Sequence, residues 1–341
     1  YKKYILNFKN PSGTSRGVLR TKETWFIILK DSTKLGVGET GLFRGLSIDD
    51  VPNYEEKLIW VCKNIDLGLE KLLIELVNYP SIQFGLEQAF LSLSSNSKFE
   101  LFPSNFTTGK SEININGLIW MGEKSFMRNQ IKEKLDSGFS CIKMKIGAID
   151  FDTEIGLLKS IRKEFSSKDI ELRVDANGAF NPANALEKLK RLSELDIHSI
   201  EQPIKQGQIN EMSKLCRETP LPIALDEELI GVFSFKEKER IFKEINPQYI
   251  ILKPSLIGGF ESSKEWIQLA ENINCGWWIT SALESNIGLN AIAQFTYTLK
   301  NKLPQGLGTG SLFTNNIDSP LEVKEGFLKY NPSLNWNFNL I

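Results

Sequence analysis

The sequence predicts an α/β protein built on a (β/α)8-type barrel, with a smaller α+β segment ahead of it. Three observations carry that expectation. After residue 111, short apolar strands recur about once every 25 residues, the pace of a barrel unit. Stretches with helical apolar spacing separate them. Strand after strand then ends in a charged side chain, at a nearly constant interval. On periodicity alone a doubly wound sheet is the alternative.

The elements follow in order. Residues 24–29 read as a strand, residues 34–41 carry turn glycines, and residues 49–95 place Leu58, Val61, Ile65, Leu69, Leu72, Leu73 and Leu76 at helical spacing. Residues 99–110 are a polar connector. Strands are then expected at 113–120, 141–146, 171–175, 199–201, 222–226, 249–253, 277–281 and 305–308. Helices are expected between them, among them 125–136, 151–165, 184–195 and 259–272. Gly36-x-Gly38-x-x-Gly41 satisfies a dinucleotide-binding pattern literally, but a loop follows it where that motif needs a helix.

The charges at the strand ends are Lys145, Asp175, Glu201, Asp226 and Lys253, spaced by 30, 26, 25 and 27 residues. Each step is one β/α unit, so these groups should rise together at the C-terminal mouth of a barrel, where such folds build their sites. Residues two apart on a strand share a face, so Lys143 should accompany Lys145, and Asn177 should accompany Asp175. Three carboxylates on adjacent strands repel one another unless a cation joins them. Oxygen ligands without His or Cys select a hard ion, here Mg²⁺, with Mn²⁺ as a substitute. Nearby positive charge and partial burial are expected to lower the pKa of Lys145 and Lys253, which would suit proton transfer.

Composition narrows the chemistry further. The chain has 341 residues with 41 Lys and Arg against 42 Asp and Glu, a net charge of −1. No nucleic-acid or membrane partner is expected from that balance. Its one histidine, His198, excludes multi-histidine zinc sites and leaves acid–base work to Lys, Asp, Glu or Tyr. The four cysteines, Cys62, Cys141, Cys216 and Cys275, form no C-x-x-C pair and are expected to pack as small apolar side chains. No apolar leader or run of about 18 apolar residues is present, so a cytoplasmic protein is expected.

Taken together, Lys143-x-Lys145, Asp175-x-Asn177, Glu201-Gln202-Pro203, Asp226-Glu227 and Lys253-Pro254-x-x-x-Gly258-Gly259 resemble the muconate-lactonizing-enzyme subgroup of the enolase superfamily. The resemblance implies a modified (β/α)7β barrel over residues 109–310. An α+β capping domain would comprise residues 1–108, completed by 311–341, with residues 36–39 in a loop that closes over the substrate. It further implies Asp175, Glu201 and Asp226 as Mg²⁺ ligands, Lys145 as the acid–base group with Lys143 in support, and Lys253 on the opposite face of a small carboxylate substrate. Ser281, Glu284, Ser285 and Asn177 are candidate substrate contacts. For Ser281 and Glu284 a Ser-x-x-Glu capping box ahead of a helix at 287–299 is an equal alternative.

Residues 17–20, 281–288 and 306–313 are similar to those subgroup members that dehydrate a cyclohexadiene carboxylate to an aromatic dicarboxylate in menaquinone synthesis. Racemisation of N-succinylamino acids and epimerisation of dipeptides are the alternatives. Residues 308–311 lack the acid pair by which dipeptide epimerases grip an ammonium group. A protein that binds a metal and a carboxylate without turnover is the non-enzymatic alternative, and the two lysines speak against it.

Overall fold

The computed structural model describes residues 1–14 and 17–339 of the chain. It begins with an antiparallel sheet of β1 (Lys2–Thr14), β2 (Gly17–Lys30) and β3 (Leu35–Glu39), in that order. The sheet is covered by α1 (Tyr54–Lys63), α2 (Leu69–Glu75) and α3 (Pro80–Ser94). Strand alternation in β2 divides its burial between two neighbours. Trp25 and Ile27 pack against the helices, while Phe26 on the other face meets Ile287, Trp336 and Phe338 from the C-terminal third of the chain.

The Gly36-Val37-Gly38 run lies inside β3, buried against α3, rather than in a loop over the substrate as the resemblance implied. A Cβ on Gly38 would stand 1.9 Å from the carbonyl oxygen of Gly85, and one on Gly36 would stand 2.3 Å from that of Ala89. These glycines are required by close backbone approach between strand and helix.

The barrel follows. After β4 (Glu112–Asn114) come β5 (Gly117–Ile119), α4 (Lys124–Asp136), β6 (Cys141–Lys145) and α5 (Phe151–Glu164). Then come β7 (Glu171–Asp175), α6 (Pro182–Ser193), β8 (Ser199–Glu201), α7 (Ile209–Glu218), β9 (Ile223–Leu225) and α8 (Phe235–Ile245). The series ends with β10 (Tyr249–Leu252), α9 (Pro254–Ile257), α10 (Gly259–Asn272), β11 (Gly276–Ile279) and α11 (Asn286–Thr298). Strands β5 to β11 form one parallel sheet in chain order. Two residues close it: Gln305 bridges to Ile115 and Gly306 to Thr280, both in parallel.

Residues 113–120 were expected as one strand, but the chain uses them twice. Glu112–Asn114 pairs antiparallel with β13 (Phe327–Tyr330), itself paired with β12 (Leu321–Lys324), before β5 enters the barrel. The C-terminal segment captures the front of the run. It also reaches the first sheet, through a Phe8–Phe313 bridge and a hydrogen bond from the Thr314 N–H to the Asn7 carbonyl. Three of the cysteines are buried as expected, whereas Cys62 is exposed. No helix among the described residues is long and apolar enough to cross a membrane.

Two buried carboxylates tie the front of the chain to the barrel. Glu39 accepts from the backbone N–H groups of Ser285 and Gly288 at 2.9 Å each and from the Ser285 hydroxyl at 2.5 Å, at the start of α11. Glu87 of α3 accepts from the N–H groups of Phe260 and Glu261 at the start of α10. Both place negative charge where unsatisfied donors and the helix dipole favour it.

Burial nevertheless pushes the Glu87 carboxyl up to about 7, against the pull of those N–H groups. The folded protein therefore binds a proton there that the unfolded chain releases near ~4.3. Stability from this site is complete below the unfolded value and is lost as pH rises through about 7. Glu87→Gln should flatten the stability–pH curve between about pH 5 and 8, where wild type loses on the order of 3 kcal/mol. Urea denaturation across that range checks this, and parallel curves for the two proteins would count against it.

Candidate active site

Parallel register aligns the ladder. Lys145 pairs with Asp175 across β6 and β7, and Asp175 pairs with Glu201 across β7 and β8. Glu201 faces Ala224, so Asp226 lies two residues further along the same inward face of the next strand. Lys253 directly follows β10. Below this row the barrel interior is plugged by Arg173, whose guanidinium lies 4.1 Å from the Trp278 ring and donates to the Pro304 carbonyl. The only histidine sits at the far end of β8, with its ring 4.9 Å from that of Tyr249. His198 is therefore outside the mouth.

At the mouth the charges interleave. Lys143 donates to Glu201 at 2.6 Å and stands 3.5 Å from Asp175. Lys145 donates to Asp175 at 2.8 Å and to the Asn177 amide oxygen at 2.7 Å. Lys253 donates to Asp226 and stands 3.5 Å from Glu201. All six groups are buried. Among the described residues, no three His, Cys, Asp or Glu side chains are gathered closely enough to hold an ion as they stand. The ammonium groups lie between the carboxylates.

This arrangement reverses one expectation. Burial pulls the Lys253 ammonium down, but the Asp226, Glu201 and Glu227 carboxylates outweigh it and hold the pKa well above the usual lysine range. Lys143 is raised in the same way, with Glu201 and Asp175 outweighing burial. Burial pushes Asp175 up, and Lys145, Lys143 and Lys253 together hold it below the usual carboxylate range. For Lys253 the lowering expected from neighbouring positive charge is overturned, because carboxylates face it.

The backbone around the cluster is unusual. Asn177, Gln202 and Leu283 have φ of 44°, 37° and 64°, in the left-handed region that residues other than glycine seldom adopt. They follow three strand ends, and such conformations gather at functional sites. The Gln202 side chain repays its strain with hydrogen bonds. Its amide oxygen accepts from the N–H groups of Asp226 and Glu228, and its amide nitrogen donates to the Glu228 carboxylate at 3.0 Å. Gln202 thus fixes the turn that carries Asp226, a role that only its place beside Glu201 hinted at.

A cavity of about 600 Å³ opens over the cluster. Lys145, Asn177, Lys253 and Ser281 line it from the barrel, and Phe43 and Pro11 from the front of the chain. Of the candidate substrate contacts, Asn177 and Ser281 reach this wall, whereas Glu284 and Ser285 are fully buried behind it. Glu284 accepts from Ser281 at 2.6 Å and from Ser255 at 2.5 Å. Ser285 is the N-cap of α11, accepting from the Ile287 N–H, and it donates to Glu39. The capping role expected for Ser281 and Glu284 therefore falls to Ser285. Thr309, part of the 306–313 run but not among the candidate contacts, donates to the Ser281 hydroxyl at 2.8 Å and lines the same wall.

Residues 127–333 match the enolase C-terminal domain-like family. The chain is 47% identical to an o-succinylbenzoate synthase of Desulfotalea psychrophila, over 96% of this chain and 97% of that protein. It superposes on the crystal structure of MenC from the same organism with a TM-score of 0.86 at 44% identity, over 96% of this chain and 98% of the other. A muconate lactonizing enzyme of Pseudomonas fluorescens, 20% identical, shares the fold with a TM-score of 0.83 over 98% of this chain and 95% of its own. The chain belongs to the enolase superfamily: a (β/α)8-type barrel with a capping domain.

Proposed function

We propose that this chain is a lyase that dehydrates 2-succinyl-6-hydroxy-2,4-cyclohexadiene-1-carboxylate to 2-succinylbenzoate, a step of menaquinone synthesis. The observation that carries the reading is the near full-length, 47% identity to a protein of that activity. The interleaved lysines and carboxylates at the floor of a cavity support it.

In this reading Asp175, Glu201 and Asp226 would hold Mg²⁺. The donor set suits a hard divalent cation, being oxygen only and drawn from three adjacent strands. The buried Oε1 of Glu201 accepts no hydrogen bond among the described residues and has a looser contact with the Lys253 ammonium at 3.5 Å, which leaves it able to turn to a cation. A bound divalent cation would supply the positive charge that makes a proton beside a carboxylate acidic.

The side chains do the rest. Lys145 takes the ring proton next to the carboxylate. The carbon–oxygen bond to the ring hydroxyl then breaks, and Lys145 returns the proton to the departing oxygen, releasing water. One base acting twice on one face suits a syn elimination, and aromatisation drives it forward. Lys253 presents its ammonium to the charge that develops on the substrate, and Lys143 offsets the buried charge of Glu201 and Asp175. The apolar Phe43 wall helps to keep water away.

Incubation with the cyclohexadiene substrate should give Mg²⁺-dependent aromatisation, followed by its ultraviolet change, and EDTA should stop it reversibly. Absence of turnover with Mg²⁺ present would sink the dehydration reading. Deuterium exchange into N-succinylamino acids would then test racemisation. Lys145→Ala should abolish turnover, a loss of at least about 10³-fold, while Mg²⁺ binding by calorimetry survives. A near-normal rate in that variant would show that the base lies elsewhere.

A further inference from the structure

Lys145 is held by two side chains of different kinds. The Asp175 oxygen that accepts from it at 2.8 Å is divided, since Lys143 stands 3.5 Å from the same atom. The Asn177 amide oxygen meets Lys145 at 2.7 Å from the cavity wall. Behind it, the Asn177 amide nitrogen donates to Oε1 of Glu227 at 3.1 Å. Glu227 is buried and opens the turn Glu227–Leu229 that follows β9.

The chemistry of an amide gives this chain a direction. A carboxylate only accepts, so Glu227 draws the NH₂ end of Asn177 to itself and turns the carbonyl end toward Lys145. The amide cannot swing away at its root either. The Asn177 backbone, at φ 44°, is pinned by its own N–H donating to Asp175 at 3.0 Å and by the Gly178 N–H donating to the Gln202 carbonyl at 2.7 Å. Asn is among the few residues that tolerate this conformation and also offer both a donor and an acceptor.

We propose that Glu227 and Asn177 form an orienting relay that aims the Lys145 amino group into the cavity, making both positioning residues. Asn177 then serves the base and not, as the sequence suggested, the substrate. The inference rests on the proton-transfer role given to Lys145 above. Proton transfer is sensitive to aim, and a misplacement of about 1 Å can cost about 10²-fold in rate.

The test compares wild type with Glu227→Ala, Glu227→Gln and Asn177→Ala, all loaded with Mg²⁺, on the cyclohexadiene substrate. The relay predicts that Glu227→Ala and Asn177→Ala lower kcat by about 10- to 100-fold with KM within about twofold. Glu227→Gln, whose carbonyl still accepts from Asn177, should recover most of kcat. A rise in KM with kcat unchanged would make Asn177 a substrate contact and overturn the relay. So would unchanged kinetics in both alanine variants, or a loss of more than about tenfold in Mg²⁺ affinity in Glu227→Ala. If wild type itself does not turn over, the dehydration reading fails by itself, and a crystal structure of Glu227→Ala decides the relay. A rotated Asn177 amide with a displaced Lys145 supports it, and an unmoved pair overturns it.

Discussion

Three carboxylates and three ammonium groups share one desolvated cluster at the barrel mouth, and much of the surrounding structure exists to keep that cluster balanced. Each charge enters from a different strand or from the next turn of the same face, so register between five consecutive strands sets every distance in it. Removing one partner from such a cluster leaves a buried charge uncompensated, at a cost of about 3–5 kcal/mol. The positive-φ residues after β7 and β8, and the Gln202 clamp on the Asp226 turn, hold strand ends that mutual repulsion would otherwise splay. A charged plug of Arg173 stacked on Trp278 underlies the row, where an aliphatic layer would be the usual filling.

The front of the chain is bound to this mouth by charge as well as by apolar contact. Glu39 and Glu87 arise in a strand and a helix that pack closely on each other. They engage the first turns of α11 and α10, the helices that follow the Ser281 and Lys253 segments. The wall of the cavity supplied by Phe43 and Pro11 is thereby set relative to the lysines through buried hydrogen bonds, which are less forgiving of shift than side-chain packing. The glycines of β3 belong to the same device, because they let Glu39 approach α11 from a strand pressed against α3.

Much of this was legible in the sequence, for a physical reason. A parallel barrel puts the residue that ends each apolar run at the same rim, so constant spacing of Lys145, Asp175, Glu201, Asp226 and Lys253 translates directly into proximity. Features that depend on distant partners were not legible. The split of residues 112–120 is imposed by β13, more than 200 positions away, whereas the closing bridges at Gln305 and Gly306 fall within the strand expected at 305–308. Glu284 and Ser285 carry the polarity of binding residues, yet their hydrogen bonds face Ser255 and Glu39 and not the cavity. The contact between Asn177 and Glu227 was likewise out of reach, because Glu227 lies 50 positions further on and the aim of the amide depends on a backbone angle.

A chain with one histidine must obtain proton chemistry from groups whose ordinary pKa lies far from neutrality. Lysine can serve if its surroundings are arranged, and here they differ between Lys145 and Lys253, both of which line the cavity. Lys253 faces Asp226, Glu201 and Glu227, which favour its cationic form and fit it to oppose developing negative charge. Lys145 shares its one carboxylate partner with Lys143 and takes its other contact from a neutral amide. An amide orients the amino group without adding a formal charge. A lysine faced by three carboxylates and one shared between a carboxylate and an amide stand in different surroundings, which fits the separate charge-stabilising and proton-carrying roles proposed for them.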